Sequence, residues 1–66
     1  MSLYTDPLAI IESLRMGKFQ EDVAKREIND LLSEISSGIY TPQDLGLKNE
    51  RELRGLRHKC RHKTLH

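Results

Sequence analysis

Apolar residues recur at helical spacing along the chain, and no stretch shows the alternation that is typical of a strand. The first run has steps of three and four, and it contains Leu8, Ile10, Ile11 and Leu14. Asp6 can accept an unpaired backbone N–H, and Pro7 suits the first position of a helix. Gly17 can adopt the left-handed backbone conformation that commonly ends a helix. The pattern predicts a helix over residues 7–17.

The second run has the clearest amphipathic pattern in the chain, with spacings of four, three, one and three between Ala24, Ile28, Leu31, Leu32 and Ile35. Glu21 and Asp22 place negative charge where the positive end of a helix dipole would lie. With a stop near Gly38, this predicts a helix over residues 21–37. Because the link to the first helix has about four residues, we expect the two helices to form an antiparallel hairpin.

Two capping signatures follow the hairpin. Thr41, Pro42 and Asp44 predict a connector turn over residues 42–46, in which the threonine and the aspartate cap each other. Asn49 and Glu52 repeat the pattern and predict a third helix. That helix is expected over residues 50–63, with a narrow apolar face of Leu53, Leu56 and Cys60.

The length of 66 residues and the hydrophobic content of 36% set limits on the fold. A chain of this size removes only about 60% of its unfolded surface from water on folding, so residues 1–66 form one domain at most. A core this small rarely stabilises a fold by more than about 3–5 kcal/mol without a disulfide, a metal or a partner chain. We therefore expect a small all-α helical bundle that forms a two-fold homodimer.

The formal net charge of +1 conceals an uneven distribution. Residues 1–47 hold four basic and eight acidic side chains, a balance of −4. Residues 48–66 hold seven basic and two acidic side chains, a balance of +5, and all three histidines. Such asymmetry is typical of an interaction surface or tail. The third helix is accordingly predicted to be basic.

Cys60 is the single cysteine, so no disulfide can form within the chain and the cytoplasm is the expected compartment. No run approaches the roughly 18 apolar residues of a membrane span, and no signal-peptide pattern is present. We therefore expect a cytoplasmic protein that does not contact a membrane.

The residue types that support catalysis or metal binding are concentrated near the end of the chain. Cys60 lies two residues from both His58 and His62, and side chains two apart on a helix point about 200° from each other. No other nucleophile and base are paired. His58, His62 and His66 could share a helical face and bind a metal ion, but the surrounding lysines and arginines favour a solvated basic tail. We expect no enzyme activity, metal, cofactor or small-molecule substrate.

The basic residues of the third helix support one functional hypothesis. Arg51, Arg54, His58 and Arg61 recur at steps of three, four and three, and Arg57 flanks them. On a continuous helix this face could contact phosphates, with arginines reaching guanine edges. Alternatively, the helix is simply soluble, or it complements an acidic surface of a partner or of the same chain.

Two segments resemble known helical modules. Residues 44–54 resemble the second half of a helix-turn-helix motif, in which a Leu-Gly-aliphatic turn precedes a basic recognition helix. In this chain the preceding helix is too short for the motif, and the turn is one residue longer than usual. Residues 28–45 resemble the short helical hairpins that act as oligomerisation or localisation modules at the ends of bacterial proteins, which implies protein–protein contacts.

The incompletely covered face of the hairpin supports the hypothesis that we favour. Its candidate contact residues are Leu8, Ile11, Leu31, Leu32 and Ile35. The third helix, a second copy of the chain or another protein could cover them. We predict a small non-enzymatic regulator or adaptor that acts through helix-mediated protein–protein contacts. The alternative is a small nucleic-acid-binding protein that resembles a transcription regulator.

Overall fold

The regular elements of the protein are helical throughout the part that the computed structural model describes, residues 6–60. They are α1 (Pro7–Arg15), α2 (Glu21–Ser36), a connector turn of 3-10 helix (Gln43–Leu45), α3 (Glu50–Gly55) and a C-terminal turn of 3-10 helix (Leu56–Lys59). The prediction of an all-α fold is confirmed. Within residues 6–60, no helix is long and apolar enough to cross a membrane.

The first two helices begin at the predicted residues, and they end at Arg15 and Ser36, two residues and one residue before the predicted ends. The Asp6 carboxylate caps α1 by accepting the backbone N–H of Leu8 at 3.0 Å. Gly17 and Gly38 have φ angles of 64° and 82°. The N–H of the residue after each glycine donates to a carbonyl five positions earlier, at 3.0 Å after Gly17 and at 2.9 Å after Gly38. These bonds satisfy helix carbonyls that would otherwise lack a partner.

Both capping signatures in the second half of the chain form hydrogen bonds. The Thr41 hydroxyl accepts the N–H of Asp44 at 3.2 Å, and the Asp44 carboxylate accepts the N–H of Thr41 at 3.0 Å. At α3, the Asn49 side chain accepts the N–H of Glu52 at 3.0 Å. Glu52 differs from the prediction, because its carboxylate accepts the N–H of Lys48 instead of that of Asn49, at 3.0 Å.

The third helix is shorter than the predicted span of residues 50–63. Its α-helical part ends at Gly55, the next four residues form a 3-10 helix, and Cys60 is extended. Glycine lowers the stability of a helix interior by about 1 kcal/mol relative to alanine. The tighter turn that follows still buries both Leu56 and Cys60, at 4% and 3% exposed. Residues 61–63 lie outside the described range.

A single hydrophobic cluster holds the elements together. Each helix and turn contributes to it, and α3 and the C-terminal turn both pack on α2, while the C-terminal turn also packs on α1. The predicted narrow face of the third helix is part of the cluster. Its buried members are Ile10, Ile11, Leu14, Phe19, Ala24, Ile28, Leu31, Leu45, Leu47, Leu53, Leu56 and Cys60. The C-terminal segment therefore folds back on the first two helices.

Candidate partner-binding groove

A groove of about 310 Å³ lies between α2 on one side and α3 with the C-terminal turn on the other. Four of its lining side chains are basic, two are aliphatic and one is an amide. We call this surface the basic groove, and its lining residues are Lys25, Ile28, Asn29, Leu32, Arg54, Arg57 and His58.

The α2 wall of the basic groove follows from helical periodicity. Its four residues lie at positions i, i+3, i+4 and i+7, which share one face of a helix. Ile28 is buried at 4% exposed, and Leu32 packs on the core while staying half-buried. Lys25 and Asn29 are exposed. This wall therefore combines an aliphatic floor with a polar edge.

The opposite wall comes from three predicted residues of the basic helix. Arg54 and His58 are exposed and Arg57 is half-buried, while Leu53 and Leu56 anchor the same segment in the core. Arg51 is exposed but does not line the groove. The predicted continuous face of Arg51, Arg54, His58 and Arg61 is not confirmed, because the α-helix ends at Gly55 and Arg61 lies outside the described residues.

The positive charge of the basic groove has no acidic counterpart in the described part of the chain. No aspartate or glutamate among residues 6–60 lines it, and none lies within ion-pair distance of its basic side chains. The ion pair between α1 and α3 joins Arg15 to Glu52 at 3.8 Å, and both side chains are partly exposed. The basic groove is therefore suited to a negatively charged group.

Backbone contacts fix the segment that carries Arg57 and His58. A Cβ atom at Gly17 would overlap the carbonyl oxygen of Lys59, so the two backbones touch. The Cys60 thiol lies 3.8 Å from the carbonyl oxygens of both Leu14 and Leu56, within sulfur hydrogen-bond distance. The C-terminal turn is thus held against α1 at the end of the segment.

The surroundings of the Cys60 thiol are typical of a buried core residue. Burial raises its pKa, and a hydrogen bond with the backbone of Phe19 lowers the pKa by a smaller amount. A raised pKa leaves little thiolate near neutral pH, and the thiolate is the reactive form. Cys60 therefore resembles a core residue more than a nucleophile.

The raised pKa predicts a loss of stability at alkaline pH. Between the unfolded pKa, about 8.5, and the higher folded pKa, the unfolded chain releases the thiol proton while the folded chain retains it. The stabilisation that Cys60 supplies is complete below this window and declines as the pH rises through it. Urea denaturation from about pH 7 to 10 should show the wild type losing stability relative to Cys60→Ala. A constant difference between the two proteins would contradict the raised pKa.

Two of the predicted partner-contact residues lie in the core. Ile11 and Leu31 are 3% and 2% exposed, because the rest of the chain covers them. Of the alternatives that the sequence left open for these two residues, coverage from within the chain is the one observed. Leu8 is 52% exposed and lines a second hollow, of about 320 Å³, while Leu32 and Ile35 are half-buried against the core.

Of the residues considered for metal binding and catalysis, the structure describes His58 and Cys60. Within residues 6–60, no group of three or more histidine, cysteine, aspartate or glutamate side chains could hold a metal ion. His58 is exposed in the basic groove, whereas Cys60 is buried. His62 and His66 lie outside the described residues.

Sequence reasoning missed Lys25 and Asn29 as groove residues. Both lie on the polar side of α2, and their spacing of four was a signal that they share a face. Nothing in the local pattern indicated that this face would lie opposite Arg54 and Arg57. The two walls of the groove are close together because α3 and the C-terminal turn pack on α2.

No protein-family model, curated protein or solved structure matches this chain. The geometry and charge of the molecule are therefore the basis for its proposed function.

Proposed function

We propose that the protein is a non-enzymatic adaptor or regulator that binds another protein at the basic groove. The observation that carries the proposal is the arrangement of four basic side chains, without acidic counterparts among residues 6–60, around an aliphatic floor. Protein interfaces commonly combine an apolar pocket for an anchoring side chain with a polar rim. The basic groove offers both elements on a surface that the helices hold in place.

The proposal includes the antiparallel packing of α1 and α2 and a location in the cytoplasm. The five-residue link between the helices and their mutual contact support the packing.

A homodimer stays a prediction from the chain length. A two-fold dimer through the basic groove would place the basic side chains of one groove, Lys25, Arg54 and Arg57 among them, against those of the other. Such like-charge contacts are unfavourable, so the groove is better suited to a different protein.

Nucleic-acid binding is the second candidate, and the exposure of Arg54 and His58 together favours it. Three observations make it the weaker of the two. The floor of Ile28 and Leu32 offers nothing to a phosphate, and among the described residues no aromatic side chain lines the groove to stack on a base. The sequence pI of about 7.9 is also below the values above 9 that nucleic-acid-binding domains tend to show.

Charge reversal in the basic groove is expected to abolish partner binding. Arg54→Glu with Arg57→Glu replaces two attractive contacts by two repulsive ones, so retention of the partner should fall by about tenfold or more. The matched control, Arg26→Glu with Arg51→Glu, makes the same charge change at exposed positions outside the groove. Pull-downs from nuclease-treated extract of the native host, quantified by mass spectrometry, compare both variants with the wild type.

A photo-reactive residue at Asn29 should join the partner covalently, whereas the same residue at Asp30, an exposed position about 100° further around α2 and outside the groove, should not. Circular dichroism of each variant checks that the helices remain folded. Equal loss of the partner in both double variants would show that overall charge, not the groove, controls binding. If nuclease treatment removes all binding while duplex DNA or RNA binds the purified protein, nucleic acid replaces protein as the ligand.

A further inference from the structure

We infer that the partner segment entering the basic groove is an acidic peptide with one aliphatic or aromatic anchor side chain, an inference that rests on the proposed function. In this arrangement the anchor contacts Ile28 and Leu32 on the floor. Aspartate or glutamate residues on either side of the anchor meet Lys25, Arg54, Arg57 and His58 on the rim.

The positive charge of the groove indicates that the partner segment is negatively charged. Lys25 lies on one wall, and Arg54, Arg57 and His58 lie on the other, so a bound segment would have positive charge on both sides. Because no carboxylate among residues 6–60 pairs with them, a partner would not have to displace an internal ion pair. Arginine binds carboxylates through charge-assisted hydrogen bonds that are stronger than neutral ones. A partner with carboxylates on both sides of the anchor uses both walls.

The size and floor of the groove determine the apolar part of the partner. A volume of about 310 Å³ is at the lower end of the range of about 300–1,000 Å³ for ligand pockets. It can take one or two side chains, but not the whole apolar face of a long helix. Ile28 and the half-buried Leu32 are aliphatic, so they favour an aliphatic or aromatic group over a polar one.

The floor also distinguishes a peptide from the other anionic occupants. A phosphate backbone gains nothing from contact with Ile28 and Leu32, and a second copy would have to present a complementary acidic segment while keeping its own groove apart. An acidic peptide with an anchor uses every part of the lining. The charge and the apolar floor therefore point to the same class of partner.

Short labelled peptides can test the inference by fluorescence anisotropy with the purified full chain. The first peptide has a central leucine flanked by glutamates, the second replaces the leucine with serine, and the third replaces the glutamates with lysines. We expect the first to bind, and the other two to bind at least about tenfold more weakly. Duplex DNA, measured at the same salt concentration of about 50 mM, should also bind more weakly than the first peptide.

Two variants with the same charge change locate the binding on the protein. Lys25→Glu should weaken binding of the first peptide by about tenfold, because it puts a negative charge on the groove wall. Arg26→Glu, at the next position on α2 and outside the groove, should leave the affinity within about twofold. Leu32→Ser should reduce the preference for leucine over serine in the peptide, with circular dichroism confirming that the helices remain.

Several outcomes would overturn the inference. Equal binding of the leucine and serine peptides would exclude an anchor, and stronger binding of duplex DNA would identify a nucleic-acid surface. If no peptide binds but the photo-reactive residue at Asn29 still traps a protein, the inferred partner class is wrong and the proposed function stands. If that residue also traps nothing, the proposed function fails with it.

Discussion

Replacing Gly17 with alanine is expected to destabilise the fold more than the same change at any other glycine of positive φ. Gly17 has a φ of 64°, a conformation that costs residues with a side chain about 1–2 kcal/mol. A Cβ atom at this position would also overlap the carbonyl oxygen of Lys59. This oxygen belongs to the backbone, so it cannot move aside by a side-chain rotation. Overpacking of this kind adds about 1–3 kcal/mol.

Gly38→Ala is the matched control for Gly17→Ala. Gly38 has a φ of 82°, and a Cβ atom there would meet no atom within 4 Å. Urea denaturation should therefore show a loss of about 1–2 kcal/mol for Gly38→Ala and a clearly larger loss for Gly17→Ala. Equal losses would mean that the contact between Gly17 and Lys59 does not hold the C-terminal turn. Loss of partner binding at temperatures where Gly17→Ala remains folded would link that contact to the groove.

Replacing Leu14 with alanine is expected to unfold much of the population. Leu14 is fully buried, at 0% exposed, and leucine-to-alanine changes at such positions cost about 2–5 kcal/mol. This loss is comparable with the whole stability of about 3–5 kcal/mol expected for so small a core. Circular dichroism at 25 °C should show reduced helicity, and the urea transition should shift towards zero denaturant.

Leu8→Ala is the control for Leu14→Ala, because both leucines belong to α1 and differ mainly in burial. Leu8 is 52% exposed, so its truncation should change the free energy of unfolding by about 0.5 kcal/mol or less. A large effect at Leu8 would show that another surface covers it in solution. Measurements at two protein concentrations would then distinguish a second copy of the chain from an intramolecular contact.

The sequence predicted the helical elements because their signals are local. Asp6, Gly17, Gly38 and Asn49 mark helix ends through hydrogen bonds or backbone conformations that involve only their near neighbours. The predicted end of the third helix was wrong for the opposite reason. The residues after Gly55 form a tighter turn, and the Cys60 that follows it packs near Leu14, a residue 46 positions away.

The candidate site was predictable only in part. The sequence identified Arg54, Arg57 and His58 as an interaction surface and Leu32 as a contact residue, but it assigned them to different hypotheses. The fold joins them in one groove and adds Lys25, which lies about two turns before Leu32 on the same face of α2. Local periodicity shows which residues share one helix face, but it carries no information about which second face lies opposite.

By itself, the sequence determined the all-α class, the starts of α1 and α2, the glycines that follow them, and the concentration of basic charge after residue 47. Only the tertiary structure decided that Ile11 and Leu31 are core residues and that the basic segment folds back on the first two helices. Capping and periodicity involve residues that are close together in the chain, so both signals can be identified from the sequence. Burial and the basic groove depend on contacts between distant segments, which exist once the chain has packed.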